Sequence, residues 1–169
     1  MMSWVQQKHN ARSSTLNFNA MKRLFCLILT AMVPILAANG QQVADTGYAP
    51  LIANPAYAPG KGPLVYIDEG HYNFHTKGDR YLPFAKLLER DGYHTEGYGG
   101  RFERKKLGKC RILVISNALN EVNVQNWYKP VYSAFTPKEI ETVRKWVEGG
   151  GSLFLIADHM PMGGAATEM

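Results

Sequence analysis

The sequence predicts an α/β three-layer sandwich built on a parallel β-sheet. Continuous apolar runs of strand length occur within the predicted strands, at residues 64–67, 112–115 and 153–156. Runs without an alternating polar face are typical of strands that are buried on both sides. Helical patterns separate these runs, at residues 80–91 and from Thr136 onward. Alternating strands and helices imply parallel strands joined by right-handed crossovers.

The helix predicted at residues 80–91 has its large apolar residues on one stripe and Gly92 at its expected end. The stripe consists of Phe84, Leu87 and Leu88. Pro83 fits only in the first turn, because proline lacks the N–H that later turns need. A short strand is predicted after this helix, at residues 94–98.

The next helix has the clearest local signature in the chain. Thr136 and Glu139 have the spacing of a capping box, with Pro137 at the first helical position. Phe135 and Ile140 are spaced as a hydrophobic staple around this start. The predicted buried stripe consists of Ile140, Val143 and Val147. The three glycines at residues 149–151 end the helix before the last predicted strand.

The first part of the chain resembles a secretory leader. Residues 21–40 begin with Lys22 and Arg23, continue with a short apolar run and end in small residues, which is the order of a signal peptide. The run is shorter than the roughly 20 residues of a membrane span. We therefore expect export to the periplasm or the medium, with cleavage near Gly40 and no membrane span afterwards. The alternative is an uncleaved signal that anchors the protein.

The remaining boundaries follow from composition. A signal peptide lies at the N-terminus, but residues 1–20 precede this leader. We therefore expect residues 1–20 to come from a mis-called start codon and Met21 to be the true first residue. Residues 41–62 are rich in Ala, Pro, Gly and Gln and are interpreted as a linker. Residues 63–169 contain the α/β pattern. Because the sequence stops shortly after the last predicted strand, we interpret this region as the N-terminal part of a longer domain.

Charge and cysteine content narrow the function classes. The chain has 19 Lys and Arg against 14 Asp and Glu, but four of the basic residues and none of the acids lie in residues 1–40. The rest is close to neutral, so we expect no nucleic-acid partner and interpret the basic run at residues 101–111 as a solvated connection. Cys110 is the lone cysteine after the leader, which excludes an internal disulfide.

Two of the predicted strands end in an acid and a histidine. The first ends at Asp68-Glu69-Gly70-His71, and the last ends at Asp158-His159. Ligands of open α/β sheets bind beyond the carboxyl ends of parallel strands. We therefore expect one polar pocket there, formed by a set of ionisable side chains. The set is Asp68, Glu69, His71, His75, Asp158 and His159.

These residue types suit three kinds of chemistry. The first is acid–base catalysis, because histidine titrates near neutral pH and a carboxylate can orient its ring through a hydrogen bond. The catalytic candidates are Asp158, His71, His159 and Glu69. Polar ligand binding is another, and its candidates are Asp68, Asn73, His75, Asn117, Asn120 and Glu121. A divalent metal is the candidate cofactor, and its candidate ligands are His71, His75, Asp158 and His159. The alternative is a hydrogen-bonded network that only fixes the strand-end loops.

Four segments resemble a known family. They run over residues 67–76, 117–121, 133–137 and 149–161. The chain is similar there to the uncharacterised bacterial DUF4350-type family, within the class I glutamine amidotransferase-like superfamily. The resemblance covers roughly residues 62–165 and implies a flavodoxin-like sandwich.

The same resemblance argues against glutamine hydrolysis. True amidotransferases have a cysteine nucleophile where this chain has Asp158, and Cys110 precedes a strand instead of following one. Thioester chemistry requires a thiolate. The catalytic histidine of that superfamily would lie beyond Met169.

Two function classes remain open from sequence. One is an exported hydrolase-like enzyme that acts on a carbohydrate or another small polar substrate through the acid and histidine pocket. The other is a non-catalytic ligand-binding or assembly domain that keeps the scaffold without its nucleophile. Fold alone does not decide between them, because function belongs to sites.

Overall fold

A computed structural model of the chain describes residues 22–23 and 43–169. Lys22 and Arg23 are helical and exposed. Apart from these two residues, the expected start at residues 1–20 and the expected leader at residues 21–40, with its cleavage site, lie outside the described residues.

A parallel sheet forms the centre of residues 43–169, and its strand order is β2-β1-β3-β4. The strands are β1 (Leu64–Asp68), β2 (His94–Tyr98), β3 (Ile112–Ser116) and β4 (Ser152–Ile156). The helices are α1 (Leu82–Arg90), α2 (Arg104–Leu107), α3 (Pro137–Glu148) and α4 (Met162–Ala165). A 3₁₀ turn at Glu121–Asn123 follows β3. The predicted α/β sandwich is confirmed.

The two faces of the sheet carry separate cores. On one face, Val65 and Ile67 of β1 and Val114 of β3 pack with Ala85 of α1. On the other face, Tyr66 of β1 packs in a larger cluster with α2 and α3 residues, including Val143. Because side chains alternate along a strand, β1, β3 and β4 contribute to both cores. We name these the α1 face and the α3 face.

The buried stripes of the two long helices differ from prediction at one position each. Leu87 of α1 is 40% exposed and Val147 of α3 is 39% exposed, so both predictions were wrong. Val143 of α3 is buried as predicted, and the other buried positions are Ala85 in α1 and Glu139 in α3. Each helix therefore buries a narrower stripe than its apolar residues suggest.

The start of α3 confirms the predicted capping box. The Thr136 hydroxyl accepts a hydrogen bond from the Glu139 amide at 3.3 Å, and the Glu139 carboxylate accepts one from the Thr136 amide at 3.0 Å. Pro137 occupies the first turn. Phe135 and Ile140 belong to the same core cluster, as the staple predicts.

The basic run is more than a solvated connection, which corrects the sequence interpretation. Within residues 101–111, Phe102, Leu107 and Cys110 are buried in the α3-face core. Short helix α2 lies in this segment and contacts α3. The basic side chains therefore project from a segment that is anchored to the domain.

Residues 43–62 contain neither helix nor strand. The Ala56 amide nevertheless donates to the Asp91 carboxylate at 2.7 Å, and the Tyr57 ring lies edge-on to Tyr93 at 5.1 Å. The later part of the predicted linker is thus packed against the turn between α1 and β2. Among the described residues, no helix is long and apolar enough to span a bilayer.

Gly70 is expected to resist substitution because two backbones meet there. A Cβ added at Gly70 would lie 2.7 Å from the Gly100 nitrogen, whereas one added at Gly78 would meet nothing within 4 Å. We expect Gly70→Ala to destabilise the domain by about 1–3 kcal/mol, since backbone cannot yield as a flexible side chain does. Urea unfolding measures the loss, and Gly78→Ala is the matched control. Equal stabilities of the two variants would contradict the close approach.

Candidate functional site

The sheet has a topological switch point between β1 and β3. The chain first adds β2 on one side of β1, then crosses back to place β3 and β4 on the other side. Ligands of open α/β sheets bind at such a reversal, outside the carboxyl ends of the strands. A cleft of about 550 Å³ lies there, between the loop after β1 (Gly70 to Tyr72) and the loop after β3 (Leu119 to Glu121). We name it the switch-point cleft.

His71 forms part of the cleft lining and is held between two carboxylates. Its Nδ1 lies 3.0 and 2.9 Å from the two carboxylate oxygens of Asp68, and its Nε2 lies 3.0 Å from Oε1 of Glu139. All three side chains are buried. With a carboxylate at each ring nitrogen, the arrangement fits an imidazolium that donates from both nitrogens.

Two phenylalanine rings enclose the same imidazole. The Phe102 ring centroid lies 4.6 Å from that of His71, and the Phe135 centroid lies 4.9 Å away. Aromatic rings attract a cation and exclude water from it. His71 is therefore restrained at its edges by carboxylates and at its sides by rings.

The pKa values of this triad follow from those contacts. Burial alone would lower the pKa of His71, but the hydrogen bonds and charges of Asp68 and Glu139 outweigh it and raise the pKa above its ordinary value. Burial would likewise raise the pKa of Glu139, yet hydrogen bonds from Thr136, His71 and Phe102 lower it to about 2. The folded state thus favours a charged histidine and a charged Glu139.

The carboxylates of Asp68 and Glu139 accept further hydrogen bonds besides those from His71. Asp68 also accepts from the Gly70 amide at 3.1 Å and from the Asn73 side-chain amide at 2.9 Å. Glu139 Oε1 accepts from the Phe102 amide at 3.1 Å, while Oε2 is held by Thr136. Because these hydrogen bonds satisfy the carboxylate oxygens, Asp68, His71 and Glu139 can be buried together without an unpaired polar atom on either acid.

A second polar cluster surrounds His75. Its Nδ1 lies 3.1 Å from the Ser116 hydroxyl and 3.3 Å from the Asn117 side-chain amide nitrogen. Since the Asn117 amide donates, Nδ1 accepts and the ring proton belongs on Nε2. The ring stacks on Tyr81 at 4.7 Å. Burial lowers the pKa of His75, against the opposing charge of Asp158, so this histidine is neutral near pH 7.

The Asp158–His159 pair lies at the periphery of this second cluster. Both side chains are 52% exposed, and His159 Nδ1 lies 2.5 Å from the Asp158 carboxylate. The Asp158 amide donates to Asn117 Oδ1 at 3.2 Å. Burial alone would raise the pKa of Asp158, but the hydrogen bonds and charge of its neighbours, His159 foremost, outweigh burial and lower it. No hydrogen bond or ion pair within the described residues joins this pair directly to Asp68 or His71.

Strand alternation explains why the expected residues form two clusters. Asp68 follows Tyr66 by two residues and lies on the α3 face, whereas Ser116 follows Val114 by two residues and lies on the α1 face. The two clusters are connected through Asn73. Its side-chain amide donates to Asp68 at 2.9 Å and to the Ser116 carbonyl at 3.3 Å.

Three other candidates have distinct placements. Glu69 is exposed, accepts from the Lys77 amide at 2.8 Å and lies over Gly97, away from His71. Asn120 caps the 3₁₀ turn, with its oxygen on the Val122 amide and its nitrogen on the Ser133 carbonyl. Glu121 lines the switch-point cleft.

Tyr72 was not predicted as a site residue, although it lines the cleft from the loop after β1, opposite Glu121. The neighbouring Glu121 carboxylate raises the pKa of Tyr72 above its ordinary value. The side chain is 51% exposed. Its φ of 46° is in the left-handed region, as is that of Asn117 at 48°. Non-glycine residues in this region concentrate at functional sites.

No group of three or more His, Cys, Asp or Glu side chains within residues 22–23 and 43–169 is arranged to hold a metal ion. In the triad, the two nitrogens of His71 already face carboxylates. His75 and the Asp158–His159 pair are likewise not grouped as a metal site within the described residues.

Cys110 offers no thiol nucleophile to either cluster. It is buried before β3, and burial raises the pKa of its thiol to about 11. A thiol with this pKa is almost wholly protonated at neutral pH. This agrees with the sequence argument against thioester chemistry.

Glu139 is the main residue that sequence reasoning missed at the site. Its position in the capping box is enough to explain an acid there, so the local pattern does not indicate a second role. The available signal was its spacing from Val143, because residues four apart share a helix face and Val143 faces the core. An acid on a buried stripe requires a buried partner.

Comparisons with known proteins yield no relative. No protein-family model matches the chain, and neither a curated protein nor a solved structure matches it. The resemblance to the DUF4350-type family therefore stays a prediction.

Glu139 should be far more important for stability than a surface acid of the same helix. Glu139→Ala removes the acceptor of His71 Nε2 and of two backbone amides. We expect a loss of about 3–5 kcal/mol in unfolding free energy, as when one partner of a buried ion pair is removed. Glu141→Ala is the control, since Glu141 pairs with Arg144 and Lys145 at the surface. Similar urea midpoints for the two variants would contradict the assigned role.

The triad also predicts a pH dependence. Because the folded-state pKa of His71 is raised, its contribution is complete below its ordinary pKa of 6.5 and is lost as the pH rises through the folded-state value. Because the pKa of Glu139 is lowered from 4.5 to about 2, its contribution is complete above 4.5 and is lost as the pH falls towards 2.

We therefore expect the stability difference between wild type and Glu139→Gln to be largest between pH 4.5 and 6.5. Urea unfolding at a series of pH values measures it, and the difference cancels titrations common to both proteins, including that of His75. NMR of the His71 ring provides its pKa directly. A stability difference that does not vary with pH would refute the linkage.

Proposed function

We propose that this domain binds a small polar ligand of the carbohydrate class in the switch-point cleft, and that His71 positions the cleft walls without acting as an acid or a base. The observation that carries the proposal is the occupancy of both His71 nitrogens by carboxylates, at 2.9–3.0 Å. A general base needs a free nitrogen within reach of the substrate proton.

The composition of the cleft supports a sugar-like ligand. Tyr72 presents a half-exposed ring, which can cover the apolar face of a sugar. Glu121 supplies a carboxylate acceptor for hydroxyl groups, and Arg101 supplies a donor at the same cleft. The left-handed backbone of Tyr72 holds its ring at the loop between β1 and α1. The leader expected from sequence would expose this cleft to extracytoplasmic glycans.

Hydrolysis is the alternative, and the His75 cluster is the observation that favours it. The 3.1 Å distance between Ser116 Oγ and His75 Nδ1 is that of a nucleophile and its base. However, Ser116 is fully buried at 0% exposure. Its hydroxyl also lies 3.0 Å from that of Tyr81. A substrate has no path to this oxygen in the observed arrangement, so the geometry favours binding.

The proposal predicts a specific response to sugars. In ¹H–¹⁵N spectra, D-galacturonic acid and D-glucose should shift the amide signals of Gly70, Tyr72 and Glu121. Glu121→Gln should weaken binding about tenfold, as expected for a lost charged hydrogen bond worth about 1.5 kcal/mol. Tyr72→Ala should weaken it further by removing the ring.

Two surface substitutions serve as controls. Tyr48→Ala removes another exposed tyrosine, and Glu168→Gln removes another exposed acid, both outside the cleft. Neither should change the affinity. Shifts confined to residues around His75 and Asp158, with the cleft signals unchanged, would refute the proposal and favour the hydrolytic alternative.

A further inference from the structure

Positive charge is concentrated in one segment of the domain. Residues 101–111 contain six basic residues and one acid, Glu103. The rest of residues 43–169 contains nine basic and thirteen acidic residues. Because Phe102, Leu107 and Cys110 anchor the segment to the core, this charge has a fixed position on the surface. Fixed single-sign patches attract partners of opposite charge.

A trough runs beside this segment, along the seam between α2 and α3. It consists of two depressions of about 630 and 670 Å³. The first shares Arg101 and Pro137 with the switch-point cleft, and the second shares Arg104, Lys138 and Thr142 with the first. The three hollows therefore adjoin one another in a row. We name the two depressions the α2–α3 trough.

The cations of the trough are available for an external partner. Arg101, Arg104 and Lys138 are exposed, and within the described residues none of them forms an ion pair. The acids are mostly engaged elsewhere, since Glu139 is held by His71 and Glu141 by Arg144 and Lys145. Glu103 is the remaining acid of the lining. The trough thus presents a row of unpaired positive charges.

We propose that the α2–α3 trough binds an acidic polysaccharide, with its carboxylates on Arg101, Arg104 and Lys138. The trough adjoins the switch-point cleft. The inference rests on the proposed function in one respect, namely that the cleft holds the sugar at the end of the polymer. An extended polymer with regularly spaced carboxylates suits a row of adjoining depressions lined by cations.

Other polyanions fit the trough less well. Single-stranded nucleic acids need exposed rings for base stacking, but the rings of Phe102 and Phe135 are buried and Trp146 packs over Gly151. An extended peptide commonly adds a strand to a sheet edge. The edge strands of this sheet are β2 and β4, and the seam between α2 and α3 offers no strand.

The test uses calorimetry with polygalacturonate as the probe, on wild type and two double variants. R104Q/K138Q removes two trough cations, and K61Q/R90Q removes two exposed cations elsewhere, which gives the same net charge. We expect the trough variant to bind about tenfold more weakly, with a smaller salt dependence, because fewer counterions are released on binding. The control variant should bind as wild type does. Thermal unfolding verifies that both variants are folded.

Several results would overturn the inference. Equal weakening in the two double variants would indicate attraction by net charge alone. Tighter binding of polyglutamate or of an oligo-dT strand than of polygalacturonate would assign the trough to a peptide or a nucleic acid. Polygalacturonate that binds no more tightly than galacturonic acid would show that the trough adds nothing.

The monosaccharide separates this inference from the proposed function. If galacturonic acid binds the cleft but the polymer gains nothing from Arg104 and Lys138, the trough inference fails and the cleft proposal stands. If the monosaccharide leaves the cleft signals unchanged while the polymer depends on those two residues, the cleft proposal fails and the trough inference stands.

Discussion

The His71 imidazolium between Asp68 and Glu139 is the interaction on which the site depends. It joins the end of β1 to the start of α3, and through the Phe102 amide it also fixes the segment after β2. These segments are distant in sequence. If one of them moved away, a buried charge would lose its partner in an apolar core, which is strongly unfavourable. One charged hydrogen-bond network therefore holds together three of the segments that border the switch-point cleft.

Much of the fold was predictable because its signals are local. Strand β2 occurs at the predicted residues His94–Tyr98, and the capping box at Thr136 formed as its spacing requires. Apolar runs and helix caps act over a few residues and need no knowledge of distant contacts. The exposed Leu87 shows the limit of this reasoning, since an apolar residue on the right stripe can still lie at the edge of a core.

The site was predictable only in part, and sheet register explains why. The sequence indicated that β1 and a later strand end in polar residues at one edge of the sheet. It did not indicate which face each polar residue occupies, because that depends on pairings such as Ile67 with Val114. Those pairings place Asp68 and Ser116 on opposite faces, so the predicted single pocket divides into two clusters. Glu139 was hidden for a related reason, since its partner lies 68 positions away along the chain.

The side chain of Asn73 has a consequence for communication across the sheet. Its amide nitrogen donates to Asp68 on the α3 face and to the Ser116 carbonyl next to the His75 cluster, while its oxygen accepts from the His71 amide. Every polar atom of this side chain is thus committed, and it cannot shift towards one face without loosening a bond to the other. A displacement of Asp68 that carried this amide with it would lengthen the bond to the Ser116 carbonyl, and a coupling of this kind acts equally in both directions.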